Sequence, residues 1–244
     1  MQAIIMAAGK GSRLSELTQG NPKPFIELHG KKLIEYNLEA VQKIGVKEII
    51  LVTGYKEEAF AELTSKMNNV KLVYNPFYEL MNVIGSFYFG MNYLNDDFLY
   101  IHADTLCDPI IYKKMITSGA DIALPIEFKE CDTEAMKVKT KKGKITEMSK
   151  KMPLNVAEGE FIGIAYIKKK VLPALKQKTI EVLKEKRFSE YFESALQKLI
   201  DEDTFDIRAI PTEDAFWTEI DFKKDYLDAA ERIPSYMVTG NYEI

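Results

Sequence analysis

The chain opens with a short unbroken apolar run, Ala3 to Met6, and three mainly apolar stretches follow at residues 47–53, 70–74 and 98–101. Runs this short, without polar alternation, predict strands covered on both faces, the setting of a parallel sheet. The stretches between them change period. Leu33, Ile34, Tyr36, Leu38, Val41 and Ile44 recur every three or four positions before Gly45, the spacing of a helix that buries one face. Residues 57–67 and 81–94 read as two further helices. Strands alternating with helices predict βαβ units, hence an α/β fold with a doubly wound, mostly parallel sheet and helices on both faces.

From residue 121 the pattern shortens. Residues 121–128, 136–140, 144–148 and 161–167 read as strands, with Lys142-Gly143 as a hairpin turn. Two helices are predicted at 169–186 and 189–202, the second opening at Ser189 as its N-cap. Strands at 205–210 and 215–220 and a helix at 222–232 close the pattern. Residues 233–244 carry Pro, Gly and Asn and read either as a loose tail or as the arm of a homodimer. The expected organisation is one domain over 1–244: a Rossmann-like half (1–120), a small β-rich extension (121–233) and a tail (234–244).

Composition narrows the field. A chain of 244 residues with a hydrophobic fraction of 46% supports a sizeable core. The formal net charge of −4 argues against a general nucleic-acid binder. No transmembrane run, signal peptide or lipidation motif is read in the chain, and no membrane partner is expected. Cys107 and Cys131 then read as free thiols of a cytoplasmic protein.

The chemistry concentrates just after the first strand, in Ala7, Ala8, Gly9, Gly11, Ser12 and Arg13, followed by Pro22-Lys23-Pro24. Glycines let a phosphate chain approach bare backbone N–H groups. Arg13 adds a two-pronged cation and Lys23 a point charge, whose stem is held between two prolines of fixed φ. A dinucleotide fingerprint fails because Leu14 follows Gly9 and Gly11 where a third glycine is needed. A Walker A loop fails because Ser12-Arg13 follows Gly11. The pattern G-x-G-x-R-L with a later P-K-P resembles the nucleotidyltransferases that make NDP-sugars and CDP-alcohols. The likeness continues in Asp132, Met136-Lys137-Val138, Gly143, Ile145, Lys150 and the run from Gly159 to Gly163. It ends in Trp217-Thr218-Glu219-Ile220-Asp221, which follows the CDP-alcohol branch of phosphocholine and aminoethylphosphonate cytidylyltransferases.

The resemblance implies an enzyme in which an acceptor phosphate or phosphonate oxygen attacks the α-phosphorus of a nucleoside triphosphate, with CTP favoured, and pyrophosphate leaves. Phosphocholine is the expected acceptor; aminoethylphosphonate or a sugar 1-phosphate is the alternative, and a non-catalytic nucleotide sensor is a third reading. Lys23 and Arg13 would be catalytic, facing the α-phosphate and the β and γ phosphates respectively. Mg²⁺ would be held by Asp104, Glu219 and Asp221, although the positions before helices also suit acids as caps. Asn82 and Ser86 would contact base or ribose, or else lie on an ordinary helix surface. Lys150 would meet the acceptor phosphate, or else belong to a solvated basic face. Tyr191, Phe192 and Trp217 would box a quaternary ammonium with Glu193 nearby, or else be core. His102 departs from the acid common in the family, and His29 reads as a surface turn residue beside Gly30.

Overall fold

The apolar runs of the first half lie side by side in a ten-stranded sheet. The structure, a computed structural model, describes residues 1–242. β1 (Gln2–Ala7) leads through a 3-10 turn at Ser12–Leu14 into α1 (Ser15–Thr18) and a second 3-10 turn at Lys23–Phe25. A ribbon of β2 (Glu27–Leu28) and β3 (Lys31–Lys32) follows. Then come α2 (Leu33–Lys43), β4 (Glu48–Thr53), α3 (Glu57–Thr64), β5 (Val70–Tyr74), α4 (Val83–Gly90) and β6 (Phe98–His102). The strands β6-β1-β4-β5 are all parallel, with Ile4 of β1 opposite Tyr100 and Ile50.

The second half contains β7 (Thr105–Cys107), α5 (Pro109–Thr117), β8 (Ile122–Glu127), β9 (Lys137–Lys141), β10 (Lys144–Ser149), β11 (Gly159–Phe161) and β12 (Ile164–Ile167). After these come α6 (Leu172–Lys184), α7 (Glu193–Glu202), β13 (Ile207–Pro211), β14 (Trp217–Glu219), α8 (Lys223–Arg232) and α9 (Ser235–Thr239). The full order is β11-β9-β10-β13-β8-β12-β6-β1-β4-β5, a mixed sheet, which corrects the mostly parallel expectation. The reversal is at β12, antiparallel to both β6 and β8. No α-helix intervenes between β8 and β12, and a chain returning without a helical crossover pairs antiparallel. β11 and β12 both pair with β8 and behave as one strand, bent at Ile162-Gly163, where Gly163 has φ 78°.

Helices do cover both faces, and the strands show why. Along β1, Ile4 and Met6 join α4 and α7 on one side, while Ala3, Ile5 and Ala7 join α2 and α5 on the other. Such period-two alternation puts neighbours on opposite faces. Helix α5 was not foreseen, although Asp108 caps it (Oδ1 accepts from the Ile110 N–H at 2.9 Å) and Pro109 starts it. Helix α7 begins at Glu193, so Ser189 is not its cap; the Ser189 carbonyl instead accepts from Asn82 Nδ2 at 3.1 Å. The loose-tail reading is corrected for its described part: α9 packs Met237 into a third cluster with Leu14, Leu28, Leu106 and Ile220. Residues 243 and 244 lie outside the described residues. Among the described residues no helix is long and apolar enough to cross a membrane.

Phe192 belongs to this core. It is fully buried, stacked on Tyr100 with ring centroids 3.9 Å apart and edge-on to Phe87 at 4.6 Å. The expectation that it lines an acceptor pocket is therefore corrected. Phe192→Ala should destabilise the protein by about 3–5 kcal/mol in urea unfolding, the usual range for emptying an aromatic core site. A loss under about 1 kcal/mol would place the ring outside the core.

Candidate active site

Beyond the carboxyl end of β1 the chain is stripped of side chains. A Cβ added at Gly9 would meet nothing within 4 Å, so the loop leaves its backbone open to a ligand. Gly11 is glycine for a different reason. It has φ 69°, and a Cβ there would lie 2.5 Å from the Lys23 Cβ. The two halves of the motif thus touch: the loop is narrow because the lysine stem runs against it.

Lys23 is buried, and its ammonium donates to Asp104 Oδ2 at 2.6 Å and to Asp221 Oδ1. Burial works against that charge, but Asp104 and Asp221 outweigh it, and the pKa of Lys23 lies above its ordinary value. Burial likewise pushes Asp104 up, and Lys23 together with His102 brings it below the usual carboxylate value. The two acids are brought together by the ribbon of β7 and β14, in which Thr105 sits opposite Glu219 and the Ile220 N–H reaches the Asp104 carbonyl at 3.1 Å. Asp225 holds the second acid in place, accepting from the N–H groups of Asp221 and Phe222 at 3.1 and 2.7 Å.

His102 completes the floor. Its Nε2 lies 2.8 Å from the Tyr100 hydroxyl, and its Nδ1 is 3.9 Å from Glu219, an ion-pair contact too long for a hydrogen bond. Burial opposes the imidazolium, while Glu219, Glu193 and Asp104 support it and raise its pKa to about 9. His102, Asp104 and Glu219 offer ligand atoms within 4.8 Å of one another. Mg²⁺ is a hard cation that prefers oxygen to an imidazole nitrogen, so the all-oxygen pair Asp104 and Asp221, already gathered on one cation, fits it better. Glu219 stands beside them.

A cleft of about 300 Å³ spreads over this floor. Of the expected residues, Ala8, Gly9, Arg13, Asn82, Ser86, Asp104, Lys150, Tyr191, Glu219 and Asp221 line it; Ala7, Gly11, Ser12 and Lys23 do not, Lys23 lying beneath the two acids it pairs with. Arg13 reaches Asp221 and Glu134 at 4.0 Å each. Asn82 is committed to structure: its Oδ1 accepts from the Val83 N–H at 2.7 Å and its Nδ2 donates to Ser189. Ser86 accepts from Asn75 at 3.0 Å and keeps its own proton to donate. The Lys150 ammonium lies 4.6 Å from the centre of the Tyr191 ring, showing that this face receives a cation. Trp217 lines an adjoining groove instead, its ring 5.1 Å from Lys129, and the single aromatic box expected of Tyr191, Phe192 and Trp217 does not form.

Sequence reasoning gave Glu193 only a minor part, and it is central. It is buried in the cleft wall, burial raises its pKa, and its Oε2 has no hydrogen-bond partner among the described residues. The signal was an acid in register with the apolar stripe of Leu196 and Ile200, where a charge is costly unless something answers it. Glu160, Tyr78, Met81 and Met136 also line the cleft and carried no motif of their own.

Comparison with known proteins places the chain in a family. The family described as MobA-like NTP transferase domain matches residues 3–194. The chain is 27% identical to a CTP:phosphoglutamine cytidylyltransferase of Campylobacter jejuni, over 92% of this chain and 97% of that protein. It is 35% identical to a choline-phosphate cytidylyltransferase of Streptococcus pneumoniae, over 48% of this chain and 50% of that one. Among solved structures, the inositol-1-phosphate CTP transferase from T. maritima superposes with a TM-score of 0.79 at 25% identity, covering 99% of this chain and 96% of that one.

Replacing Lys23 tests the cluster directly. Lys23→Met leaves the half-buried Asp104 without its cation, which should cost about 3 kcal/mol of stability at pH 7. The depressed pKa of Asp104 stabilises the fold above the ordinary carboxylate value of 3.8, and that contribution is lost as pH falls through the folded value. The gap between the two proteins should therefore narrow below pH ~4. Chemical denaturation at pH 7 and pH 3.5 reads it; an equal gap at both would show that Lys23 and Asp104 are not coupled.

Proposed function

The chain belongs to the family of MobA-like NTP transferase domains, and from that premise we propose that it is a cytidylyltransferase acting on a small phosphorylated acceptor with a nitrogenous head group. Phosphocholine, phosphoethanolamine and 2-aminoethylphosphonate are acceptors of this class. An anionic acceptor oxygen attacks the α-phosphorus of CTP, the bond to the β-phosphate oxygen breaks, and pyrophosphate leaves with that electron pair. The attacking oxygen is already deprotonated near neutral pH, so no protein base is required. The work left to the protein is to align two polyanions and offset their repulsion.

Mg²⁺, held by Asp104 and Asp221 with Glu219 alongside, would supply charge neutralisation on the triphosphate and the leaving pyrophosphate. Lys23, one hydrogen bond from the same two acids, adds its charge at the α-phosphate, and Arg13 at the cleft mouth meets the outer phosphates. The acceptor class rests on Glu193. A buried carboxylate oxygen without a partner costs about 1–3 kcal/mol or more, and a ligand N–H or ammonium recovers it. The cleft also carries Asp104, Glu134, Glu160, Glu219 and Asp221, a surplus of acids that favours a cationic head group over a neutral sugar. Tyr191 beside Glu193 offers the ring face on which such a head group displaces Lys150.

A pyrophosphate-release panel tests the assignment. CTP should be used better than ATP, GTP or UTP. Phosphocholine, phosphoethanolamine or 2-aminoethylphosphonate should outrun glucose 1-phosphate and inositol 1-phosphate. Glu193→Gln should raise the acceptor KM about tenfold, equivalent to 1.4 kcal/mol, while leaving the KM for CTP unchanged. A sugar phosphate as best acceptor, or an unmoved acceptor KM, would overturn the reading.

The metal assignment is separable. EDTA should abolish turnover and Mg²⁺ restore it, and Asp104→Ala or Asp221→Ala should each cost at least about a hundredfold in kcat. Turnover that survives chelation would remove these residues from a metal role.

A further inference from the structure

Lys137 is a lysine where none should be. It is 1% exposed, among the most completely buried side chains of the protein, and among the described residues its ammonium hydrogen-bonds only to neutral oxygens. It donates to the backbone carbonyls of Asp132 at 3.3 Å, Thr133 at 3.4 Å and Ala135 at 3.1 Å. A buried ammonium is costly unless its protons are taken up, and here one short turn takes them. Three carbonyls converging on one cation is the arrangement a bound metal ion would impose on a loop, supplied instead by a side chain of the same chain.

The turn is held from its outer side as well. The Asp132 carboxylate accepts from the N–H groups of Glu134 at 2.9 Å and Ala135 at 3.0 Å. What it presents is part of the cleft wall. Glu134 and Met136 line the cleft with Lys150, Tyr191 and Glu193, and the Met136 carbonyl accepts from the N–H of Phe161, another lining residue, at 2.9 Å. Lys137 lies on the far side of that wall, in β9, and reaches no part of the cleft.

We infer that Lys137 is a positioning residue: its buried ammonium folds the turn of residues 132–136 into the wall against which the acceptor is held, and so sets acceptor affinity without touching substrate. This rests on the cleft being the transferase site, and not on which head group the acceptor carries. Without the ammonium, three inward-facing carbonyls have no donor; the turn opens toward water and carries Glu134 and Met136 away from Tyr191. The nucleotide side, built on the loop after β1, keeps its own supports.

The test uses two substitutions that reach the same turn through different atoms. Lys137→Met removes the inner donors, and Asp132→Ala, at an exposed position, removes the outer acceptor and leaves the core untouched. Each should raise the KM of the best acceptor in the panel, whatever its head group, about tenfold, with kcat and the KM for CTP within about threefold. The double variant should be no worse than the more affected single one, because a turn already open has nothing further to lose. Hydrogen exchange without any substrate should quicken at the amides of 133–136 and stay unchanged in β10 and β12. Unaltered exchange in the turn overturns the inference, as does a KM for CTP that rises with that of the acceptor. So does an Asp132→Ala protein with a wild-type acceptor KM, even if Lys137→Met fails to fold. Failure of the amine-acceptor reading shows separately, as a different winner in the wild-type panel.

Discussion

One buried ammonium governs how the chain comes together. Lys23 is 9% exposed, and withdrawing such a charge from water costs several kcal/mol unless carboxylates answer it at close range. The answering groups, Asp104 and Asp221, lie 81 and 198 residues away along the chain. Three distant segments, the loop after β1, the turn after β6 and the end of β14, are thus bound to a single point. The same contact solves a second problem, since two acids destined for one cation repel each other until a cation sits between them. Lys23 is that cation in the ligand-free protein, and the acids stand assembled before substrate arrives.

How far the sequence could be read follows from which signals are local. The parallel strands were legible because each is a short apolar run, and the loop because Gly9, Gly11 and Arg13 precede Pro22-Lys23-Pro24 at a recognisable interval. Asp104 was legible as an acid just past a strand end. The direction of β12 was not: Ile164–Ile167 is buried as completely as β1, and burial reveals cover, whereas direction is set by the missing crossover helix. At the start of α7, Tyr191, Phe192 and Glu193 are consecutive, so their side chains point about 100° apart. Apolar spacing says that one of them faces the core without saying which. The packing gives that place to Phe192 and leaves Tyr191 and Glu193 to the cleft. Trp217 and Glu219 do share a face, but residues two apart in a strand are separated by about 6.6 Å, enough to carry the indole into the next groove.

The charges of the cleft divide its labour. Toward β7 and β14 the acids are shared with Lys23, whose removal to the phosphates would free them for a metal. Toward α7, Glu193 has one oxygen without a partner among the described residues, and His102 and Lys150 only partly offset the cost of its burial. On the proposed reading, a nucleoside triphosphate would bring its negative charge to the first region together with a metal cation, and the acceptor would bring its nitrogen toward the second. The ammonium of an amino-alcohol phosphate would answer Glu193, which a neutral sugar would not.

The irregular part of the fold joins these regions. Because β11 and β12 return without a helix, they must bend as they pass from the edge of the sheet to β6, and the bend falls at Gly163. There the Gly163 carbonyl accepts the His102 N–H at 3.1 Å, and a Cβ on residue 163 would stand 2.7 Å from His102 Nδ1. The bend therefore leaves room for an imidazole on the cleft floor that a side-chain-bearing residue would displace. His102 is fixed from below by Tyr100, and Tyr100 by its stack on Phe192. Phe192 thus bears on the site from inside the core: its ring sets Tyr100, Tyr100 sets His102, and His102 sets the charge that Glu193 and Glu219 face.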